Sequence, residues 1–296
     1  MAGAGDEEDA RGAPGRARLS VVATPIGNLE DLSARALATL RACDRIAAED
    51  TRRTRALLTH FGIAGKPMIA LHAHSSEDDV ARVVTHLEHG EHIALVTDAG
   101  TPLVSDPGSE MVRAAIAAGV RIEPIPGASA VTAALCASGL ATDAGFRFLG
   151  FLPRDGVARG RAIAIVCETP EPVVIFEAPN RTSATLRELA AATPDRAACV
   201  ARELTKLHEE IVRGTLRQLA ELAVDREWIG EIAIVLGSHD PDARGGLVDD
   251  AALDARIDDE LGKGLHAKTI AERLAAWSGR PKRDVYERVV ARKRGA

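Results

Sequence analysis

Charged side chains gather where three predicted strands end, and they are the residues of this chain best suited to chemistry. Carboxylates in such positions can accept a proton and cations can hold an anion, because ligands of open α/β sheets bind beyond the carboxyl ends of the strands. Ion pairs that fix packing show the same pattern, so both interpretations stay open. The three groups are Glu49, Asp50 and Arg52; Glu177 and Arg181; and Arg202, Glu203 and Lys206.

The stretch Ile93–Gly108, IALVTDAGTPLVSDPG, is the most informative single segment. Its apolar beginning predicts a buried strand that ends at Thr97. A loop of small residues and prolines follows, in which Gly100 lets a ligand approach the backbone because no Cβ is in the way. We expect a helix from Pro107 to Ala118 with Asp106 as its N-cap. A tight strand-to-helix turn without a ligand has the same sequence features.

Strands and helices alternate along the first half of the chain, which predicts a mostly parallel sheet covered on both faces. Beyond Gly139 the rhythm changes, which indicates a second α/β layer with strands of mixed direction. The expected strands are Leu19–Ala23, Arg45–Ala48, Pro67–Leu71, Ile93–Thr97, Arg121–Ile125, Phe146–Phe151, Val173–Glu177, Ala198–Arg202, Glu210–Arg213 and Glu231–Leu236. The expected helices include Asp31–Arg41, Ser76–Glu88, Arg181–Ala192, Thr215–Ala223, Thr269–Trp277 and Lys282–Val290.

The bulk composition is that of a soluble globular protein. The chain has 296 residues, of which 46% are hydrophobic and 27% charged, and a formal net charge of −6. Its four cysteines lie far apart in apolar surroundings, which favours buried thiols in a reducing cytoplasm. No apolar run reaches the roughly 18 residues that a bilayer span needs, and the N-terminus has no apolar signal region.

We expect five segments in chain order. A disordered tail (1–18) precedes an N-terminal α/β domain (19–126) and a second α/β domain (127–237). A linker rich in Gly, Pro and Asp (238–248) leads to a helical C-terminal tail (249–296). The chain is acidic from residue 238 to 260, and between Arg280 and Arg294 it has seven basic against two acidic residues. That basic end is either a surface for phosphate or a solvated helix face.

Several common chemistries lack their sequence signatures here. The chain has no Gly-x-Gly-x-x-Gly after its first strand, no Gly-x4-Gly-Lys-Ser/Thr and no Gly-x-Ser-x-Gly. Dinucleotide, P-loop and serine-hydrolase interpretations therefore lose their main support. The nine histidines form no zinc-type cluster, and His72 with His74 fits a loop pair better than a metal site, so we expect no metal.

Eight motifs occur in a fixed order: TPIGNLEDLSARA, AEDTRRTRALL, LVTDAGTPLVSDPG, PIPGASAVTAAL, GFLPR, FEAPNR, ARELTKLHEE and GEIAIVLG. They closely resemble those of the tetrapyrrole methylase (class III methyltransferase) superfamily, and within it the small-subunit rRNA methyltransferases, over roughly Leu19–Leu236. The resemblance implies two α/β domains with S-adenosylmethionine in the cleft between them, usually in a homodimer. It also implies methyl transfer to the ribose 2′-hydroxyl of a cytidine in the decoding region of 16S rRNA.

The resemblance also assigns roles to individual positions. Methyl transfer from a sulfonium needs the donor and the hydroxyl collinear and within about 3–3.5 Å, in a water-poor site walled by small residues. Our hypothesis is that Asp50 or Glu177 orients or deprotonates the hydroxyl, while Arg52, Arg181 and Lys206 hold rRNA phosphate. The cofactor is placed on Pro25, Gly100, Thr101, Val104, Ser129, Ala130, Phe176, Leu204 and Ala233. The last three of these positions fit plain core packing equally well.

Two alternatives stay open. A methyltransferase of tetrapyrroles or other small molecules would share the cofactor cleft but would need a larger apolar pocket, which the sparse aromatics and the basic tail disfavour. A non-catalytic rRNA-binding factor would keep the fold and lose the cofactor. One position departs from the family, because relatives commonly carry His where this chain has Asn180. We expect a hydrogen-bonding position that Asn can fill.

Overall fold

The computed structural model describes residues 17–72, 75–239, 250–278 and 280–295. The chain divides into two compact units, Met1–Ala134 with Arg202–Glu210 and Leu135–Ala201 with Ile211–Ala296. The predicted N-terminal tail (1–18) and linker (238–248) lie almost entirely outside the described residues.

A five-stranded sheet forms the centre of the first unit, with strand order β3-β2-β4-β1-β5. Its strands are β1 (Arg18–Val22), β2 (Arg45–Ala48), β3 (Met68–Ala70), β4 (His92–Val96) and β5 (Arg121–Ile125). All four strand pairings are parallel, which confirms the predicted direction. The helices that follow the strands are α1 (Ala34–Ala42), α2 (Thr51–His60), α3 (Glu77–Glu88), α4 (Ser109–Ala117) and α5 (Ala130–Ser138).

The central strand β4 is buried along its whole length because helices cover both faces of the sheet. Ile93 and Leu95 pack in one apolar cluster with residues of α3 and α4. Ala94 and Val96 pack in a second cluster with residues of α1 and α2. Successive strand residues face opposite sides, so an unbroken apolar run is what a strand buried on both faces requires.

Helix starts follow local side-chain caps. The Ser76 hydroxyl and the Asp79 carboxylate form the predicted capping box at the start of α3. The helix predicted from Asp31 begins instead at Ala34, where the Ser33 side chain accepts the Ala36 N–H. The preceding residues, Leu29–Asp31, form a separate 3₁₀ turn capped by Asn28. Two successive caps divide one predicted helix into two elements.

A mixed five-stranded sheet forms the second unit, with order β6-β7-β10-β8-β9. Strand β6 pairs with β7 in parallel and β7 pairs with β10 antiparallel, which confirms the predicted mixture of directions. Its strands are β6 (Arg147–Phe151), β7 (Val173–Glu177), β8 (Ala197–Arg202), β9 (Glu210–Thr215) and β10 (Ile232–Leu236). Its first helices are α6 (Gly156–Glu168), α7 (Pro179–Ala192) and α8 (Leu216–Leu222).

Helix α6 has no counterpart in the sequence prediction. Its sequence, GVARGRAIAIVCE, contains two glycines and several β-branched residues, which lower intrinsic helix propensity. Val166 and Cys167 are buried in the core of the second unit, whereas Ile165 is exposed. Tertiary packing therefore forms a helix that the local sequence disfavours.

The C-terminal tail forms three helices, α9 (Asp250–Gly262), α10 (Ala267–Ser278) and α11 (Lys282–Gly295). Arg288 of α11 pairs with Asp250 and Asp254 of α9, and Arg292 pairs with Asp254 and Asp258. Part of the basic stretch thus pairs with the acidic stretch. Whether the basic end serves as a surface for phosphate or as a solvated helix face stays a prediction.

Three of the four cysteines are buried, as predicted, but Cys136 is exposed. It lies on α5, where the apolar neighbours in sequence face the other side of the helix. No helix within the described ranges has the length and apolar character needed to cross a membrane.

A buried polar network crosses the first sheet near the start of β4. Arg18 lies 3.1 Å from Nδ1 of His92, and an arginine can only donate, so Nδ1 accepts and Nε2 carries the proton. Nε2 then donates to the Ser20 hydroxyl, whose own proton goes to Glu123. Burial, and next the Arg18 charge, lower the pKa of His92 to about 4.

We expect this imidazole to weaken the fold in acid. An unfolded histidine takes up a proton near pH 6.5, but folded His92 does so only near pH 4, so stability falls as pH drops between these values, by about 3 kcal/mol in all. Urea unfolding from pH 7 to pH 4 measures the slope, and His92→Gln should remove this part of it. If stability falls with pH as steeply in His92→Gln as in wild type, the lowered pKa of His92 is contradicted. The matched control is His89→Gln at an exposed position, which should keep the wild-type slope.

Candidate active site

Two reciprocal backbone hydrogen bonds join the turns that follow β1 and β4. The Thr24 N–H donates to the Gly100 carbonyl at 2.8 Å, and the Gly100 N–H donates to the Thr24 carbonyl at 3.1 Å. Gly100 has φ +82°, and a Cβ there would lie 3.2 Å from the Ile26 side chain. This position therefore requires glycine on both conformational and steric grounds.

The turn after β5 joins the same group. The Thr101 hydroxyl donates to the Ala128 carbonyl at 3.0 Å. A Cβ on Gly127 would lie 3.0 Å from the Ala23 Cβ, so this turn packs closely on the end of β1. Six of the predicted cofactor residues lie on these three turns: Pro25 and Gly100 are buried, and Thr101, Val104, Ser129 and Ala130 are half-buried.

The loop after β4 is longer and more strained than predicted. Leu103 and Ser105 have φ values of 75° and 67°, which side chains with a Cβ rarely adopt. Helix α4 starts at Ser109, after Gly108 with φ 114°, and has no side-chain cap. The prediction of Asp106 as N-cap and of a helix from Pro107 is therefore wrong, because Asp106 turns toward Thr97 instead.

Carboxylates converge where β2 and β4 end. Glu49 accepts the Thr97 hydroxyl at 2.6 Å and the Asp98 N–H at 3.3 Å. Asp98 accepts the Asp50 N–H at 3.1 Å and pairs with Arg53 at 3.4 Å. These residues come from strands that are neighbours in the sheet, so the fold places several negative charges close together.

Their surroundings separate the proton affinities of these carboxyl groups. Burial, then the Glu49 charge, raise the pKa of Asp106 to about 6, and the same two causes raise the pKa of Asp98. Hydrogen bonds from the side chain and backbone of Arg52 instead lower the pKa of Asp50 to about 2. With a pKa of about 6, Asp106 can exchange a proton near neutral pH.

The Thr97 hydroxyl lies between two of these carboxyl groups. It donates to Glu49 at 2.6 Å. Its interaction with Asp106 lowers the pKa of that carboxyl group, but burial and the Glu49 charge raise it by more.

A distant segment docks on the turn after β1. Gly27 leaves no room for a side chain, because a Cβ there would lie 2.4 Å from Lys206 Cγ and 2.9 Å from the Leu204 carbonyl. The Asn28 N–H donates to the Thr205 hydroxyl at 3.1 Å. The segment is strained, with φ 51° at Glu203 and 65° at Thr205. Among the described residues, every positive-φ residue other than glycine lies either here or in the loop after β4.

The other predicted site residues of the first unit have defined positions. Leu204 is buried, as a cofactor wall or a core residue would be. Lys206 pairs with Glu203 at 2.8 Å. Arg52 pairs with Asp50 at 3.0 Å, and its side chain remains 86% exposed. Of the three predicted phosphate-holding cations, Arg52 is therefore the most accessible.

Glu177 is the centre of a buried ion-pair network in the second unit. Its side chain is fully buried and pairs with Arg181 at 2.5 Å and with Arg159 at 3.7 Å. It also accepts the Thr185 hydroxyl at 2.6 Å and the Ala178 N–H at 2.8 Å. Four partners fix the position of this carboxylate, which suits a positioning role.

Phe176 and Ala233 lie directly opposite each other on β7 and β10. Cross-strand partners share one face of a sheet, so these two predicted cofactor residues lie side by side, with Phe176 half-buried and Ala233 buried. Asn180 is exposed at the second residue of α7.

Sequence reasoning missed several residues that the structure places beside the predicted ones within each unit. Asp106 was visible in SDPG but matched a helix cap, and Gly27 and Thr205 are adjacent only after folding. Arg159 had no sequence signal, because α6 was not predicted. Within the described ranges, no group of three or more His, Cys, Asp or Glu is arranged to hold a metal ion, and His74 lies outside them.

We expect Gly27→Ala to lower the free energy of unfolding by about 1–3 kcal/mol, because the new methyl group must displace the Leu204 carbonyl. Urea denaturation measures this change. Gly160→Ala is the matched control, since nothing lies within 4 Å of its Cβ position in α6 and the change should stabilise by about 0.5–1 kcal/mol. Equal effects of the two substitutions would show that Gly27 is not in a tight contact.

We expect Asp106→Asn to stabilise the protein in a pH-dependent way. The folded pKa of about 6 lies above the ordinary 3.8, so ionisation of Asp106 costs the wild type stability as pH rises through this range. Asn cannot ionise, so the variant should gain up to about 3 kcal/mol over wild type above pH 7 and nothing below pH 4. The same difference at pH 4 and pH 7.5 in urea unfolding would contradict the raised pKa.

Comparisons with known proteins identify the family of this chain. A family model described as Tetrapyrrole (Corrin/Porphyrin) Methylases matches residues 18–220. A protein named Ribosomal RNA small subunit methyltransferase I from Halalkalibacterium halodurans is 40% identical over 270 residues, which cover 90% of this chain and 93% of that protein. One of the same name from Xylella fastidiosa is 44% identical over 272 residues, covering 90% and 97%.

Solved structures share the fold at low identity. Cobalt precorrin-4 methyltransferase has a TM-score of 0.58 and 19% identity, covering 74% of this chain and 94% of that one. Uroporphyrin-III C-methyl transferase from Thermus thermophilus, complexed with S-adenyl homocysteine, has a TM-score of 0.53 and 20% identity, covering 74% and 97%. The family uses S-adenosylmethionine as its methyl donor. On this evidence the chain belongs to the tetrapyrrole methylase family.

Proposed function

We propose that this protein is an S-adenosylmethionine-dependent methyltransferase that methylates the ribose 2′-hydroxyl of a cytidine in the decoding region of 16S rRNA. The observation that carries the proposal is the 40% and 44% identity to two proteins named as small-subunit rRNA methyltransferases, each over 90% of this chain. The joined turns of the first unit support the proposal, because they bring six of the proposed cofactor residues together. We further propose that it acts in the cytoplasm as a homodimer.

The residues of the first unit fit the proposed cofactor. Gly100 and Gly127 present backbone where a Cβ would collide with neighbours, which is the kind of wall that a close-fitting ligand needs. The carboxylates at the ends of β2 and β4 supply negative charge that favours a cationic donor. The residues proposed to hold it are Pro25, Gly100, Thr101, Val104, Ser129, Ala130 and Leu204, with Phe176 and Ala233 from the second unit.

Methylation of a hydroxyl releases a proton, and the chain must accept it. S-adenosylmethionine supplies the methyl group as a sulfonium when bound. We keep Asp50 as a candidate for orienting the hydroxyl, although its low pKa makes it a weak base. Glu177 is a candidate for positioning through Arg181. We add Asp106 as proton acceptor, because a pKa of about 6 allows it to take up and release a proton near neutral pH.

The proposed phosphate contacts differ in how available they are. Arg52 has an exposed side chain, so it can leave Asp50 for a phosphate at little cost. Lys206 is paired with Glu203 in a strained loop, and Arg181 is held by buried Glu177. We therefore propose Arg52 as the main phosphate contact of the three, with Lys206 and Arg181 contributing mainly by shaping their loops.

The experiment is transfer of labelled methyl from S-adenosylmethionine to small ribosomal subunits from cells that lack this protein, followed by mass mapping of the rRNA. We expect label on one cytidine ribose. Asp106→Asn should lower turnover by about 10²-fold or more with cofactor affinity retained. Exposed Asp78→Asn is the matched control and should leave turnover unchanged.

Two results would overturn the proposal. Label on a porphyrinoid but not on subunits would favour a small-molecule methyltransferase. Calorimetry that shows no S-adenosylmethionine binding would favour a non-catalytic rRNA-binding factor. Asp50→Asn and Glu177→Gln, each assayed separately for cofactor binding and for methyl transfer, decide the role of these two residues. If a variant keeps its turnover, the residue that it replaces is not essential.

A further inference from the structure

Most of the phenylalanine in this chain is gathered in one place. Four of the five phenylalanines are Phe146, Phe148, Phe151 and Phe176, on or beside β6 and β7. The Phe176 ring contacts that of Phe148 at 5.0 Å and that of Phe151 at 5.6 Å between centroids. Phe151 is nevertheless 56% exposed. The second unit thus has a cluster of packed aromatic rings, and within it Phe151 is open to solvent.

A β-bulge creates this surface. Residues three apart on a regular strand face opposite sides of a sheet, so the rings of Phe148 and Phe151 should not reach a common neighbour. The register between β6 and β7 shifts between Phe148 and Gly150, where Gly150 has φ 65°. Both rings therefore contact Phe176. Bulges of this kind re-aim a side chain and are frequent beside functional sites.

Two arginine side chains fix the backbone of the loop that follows Phe151. Arg181 donates to the Leu152 carbonyl and Arg159 donates to the Pro153 carbonyl, each at 3.1 Å. Both arginines also pair with the buried Glu177. Two charge-assisted bonds to consecutive carbonyls fix the path of the backbone. The ion-pair network therefore fixes a short loop that has Phe151 at one end and the exposed Arg154 at the other.

We propose that Phe151 is a stacking surface for an unpaired base of the RNA substrate and that Arg154 holds a phosphate of the same strand. This inference rests on the proposed rRNA function and adds a contact to it. Single-stranded RNA is bound largely by aromatic side chains that stack on its bases together with cations that follow its backbone. An aromatic surface of this kind can hold an unpaired base in place while its ribose is methylated.

A cation close by in the chain favours this occupant. Arg154 follows Phe151 by three residues, at the other end of the fixed loop, and is exposed. A second copy of this chain at the β6 edge, or the adenine of the cofactor, would cover an aromatic ring without using this cation. A nucleotide within RNA uses the ring and a cation together.

The experiment measures binding of a fluorescently labelled single-stranded RNA of decoding-region sequence by anisotropy, over a range of salt concentrations. Phe151→Ala should weaken binding about 5- to 100-fold with an unchanged salt slope, and Phe151→Tyr should retain it. Arg154→Ala should weaken binding and lower the salt slope by about one. The matched controls are exposed Val157→Ala and exposed Arg161→Ala, which should change the dissociation constant little.

Three outcomes would overturn the inference. The RNA affinity of Phe151→Ala could equal that of wild type. Its affinity for S-adenosylhomocysteine in calorimetry could fall instead, which would assign the ring to the cofactor. Its oligomeric state in sedimentation could change, which would assign the ring to an interface between copies. Circular dichroism and thermal unfolding confirm that each variant is folded.

The binding test is independent of catalysis. Wild type that binds RNA through Phe151 but transfers no methyl group would overturn the proposed function and leave this contact standing. If wild type transfers methyl to subunits and Phe151→Ala binds the RNA as tightly as wild type, the proposed function stands and this contact is overturned.

Discussion

The pair of hydrogen bonds between Thr24 and Gly100 is the constraint on which the candidate site depends. It joins the end of β1 to the end of β4, and both partners are buried. Because Gly100 adopts a positive φ, the bridge also sets the direction in which the loop after β4 leaves the sheet. Thr101 then reaches the turn after β5 through the Ala128 carbonyl. Three separate loops are thereby made into one surface.

Electrostatics gives that surface its character. Parallel strands end at the same edge, so residues that follow β2 and β4 place Glu49, Asp98 and Asp106 near one another. Mutual repulsion and burial keep a proton on this group at a pH where an isolated carboxyl would have lost it. In the second unit, Glu177 is instead surrounded by hydrogen-bond donors and cations that hold its carboxylate in place. Asp106 and Glu177 therefore lie in opposite electrostatic surroundings.

Much of the fold was predictable because its strands are bounded by strong local signals. The unbroken apolar run of β4 and the Ser76–Asp79 cap both correspond to what the structure shows. The failures have physical causes. Helix α6 forms against its own propensity, and Asp106 has a cap-like sequence but a half-buried side chain that turns toward Thr97. The docking of Thr205 on Asn28 joins residues 177 apart in sequence, a relation that no local pattern encodes. The placement of the charged groups at strand ends was predictable, whereas their pairing was not.

The position of Arg202–Glu210 in the chain affects how the protein folds while it is being synthesised. These residues belong to the first unit, although the residues on either side of them in the chain belong to the second. A ribosome adding about 5–20 residues per second would emit Asn28 roughly 10–35 s before its partner Thr205. The first unit therefore emerges early but stays incomplete until two-thirds of the polypeptide has been made. During that interval the turn at Gly27 lacks its contact with the segment that contains Thr205, and folding from the N-terminus must proceed without it.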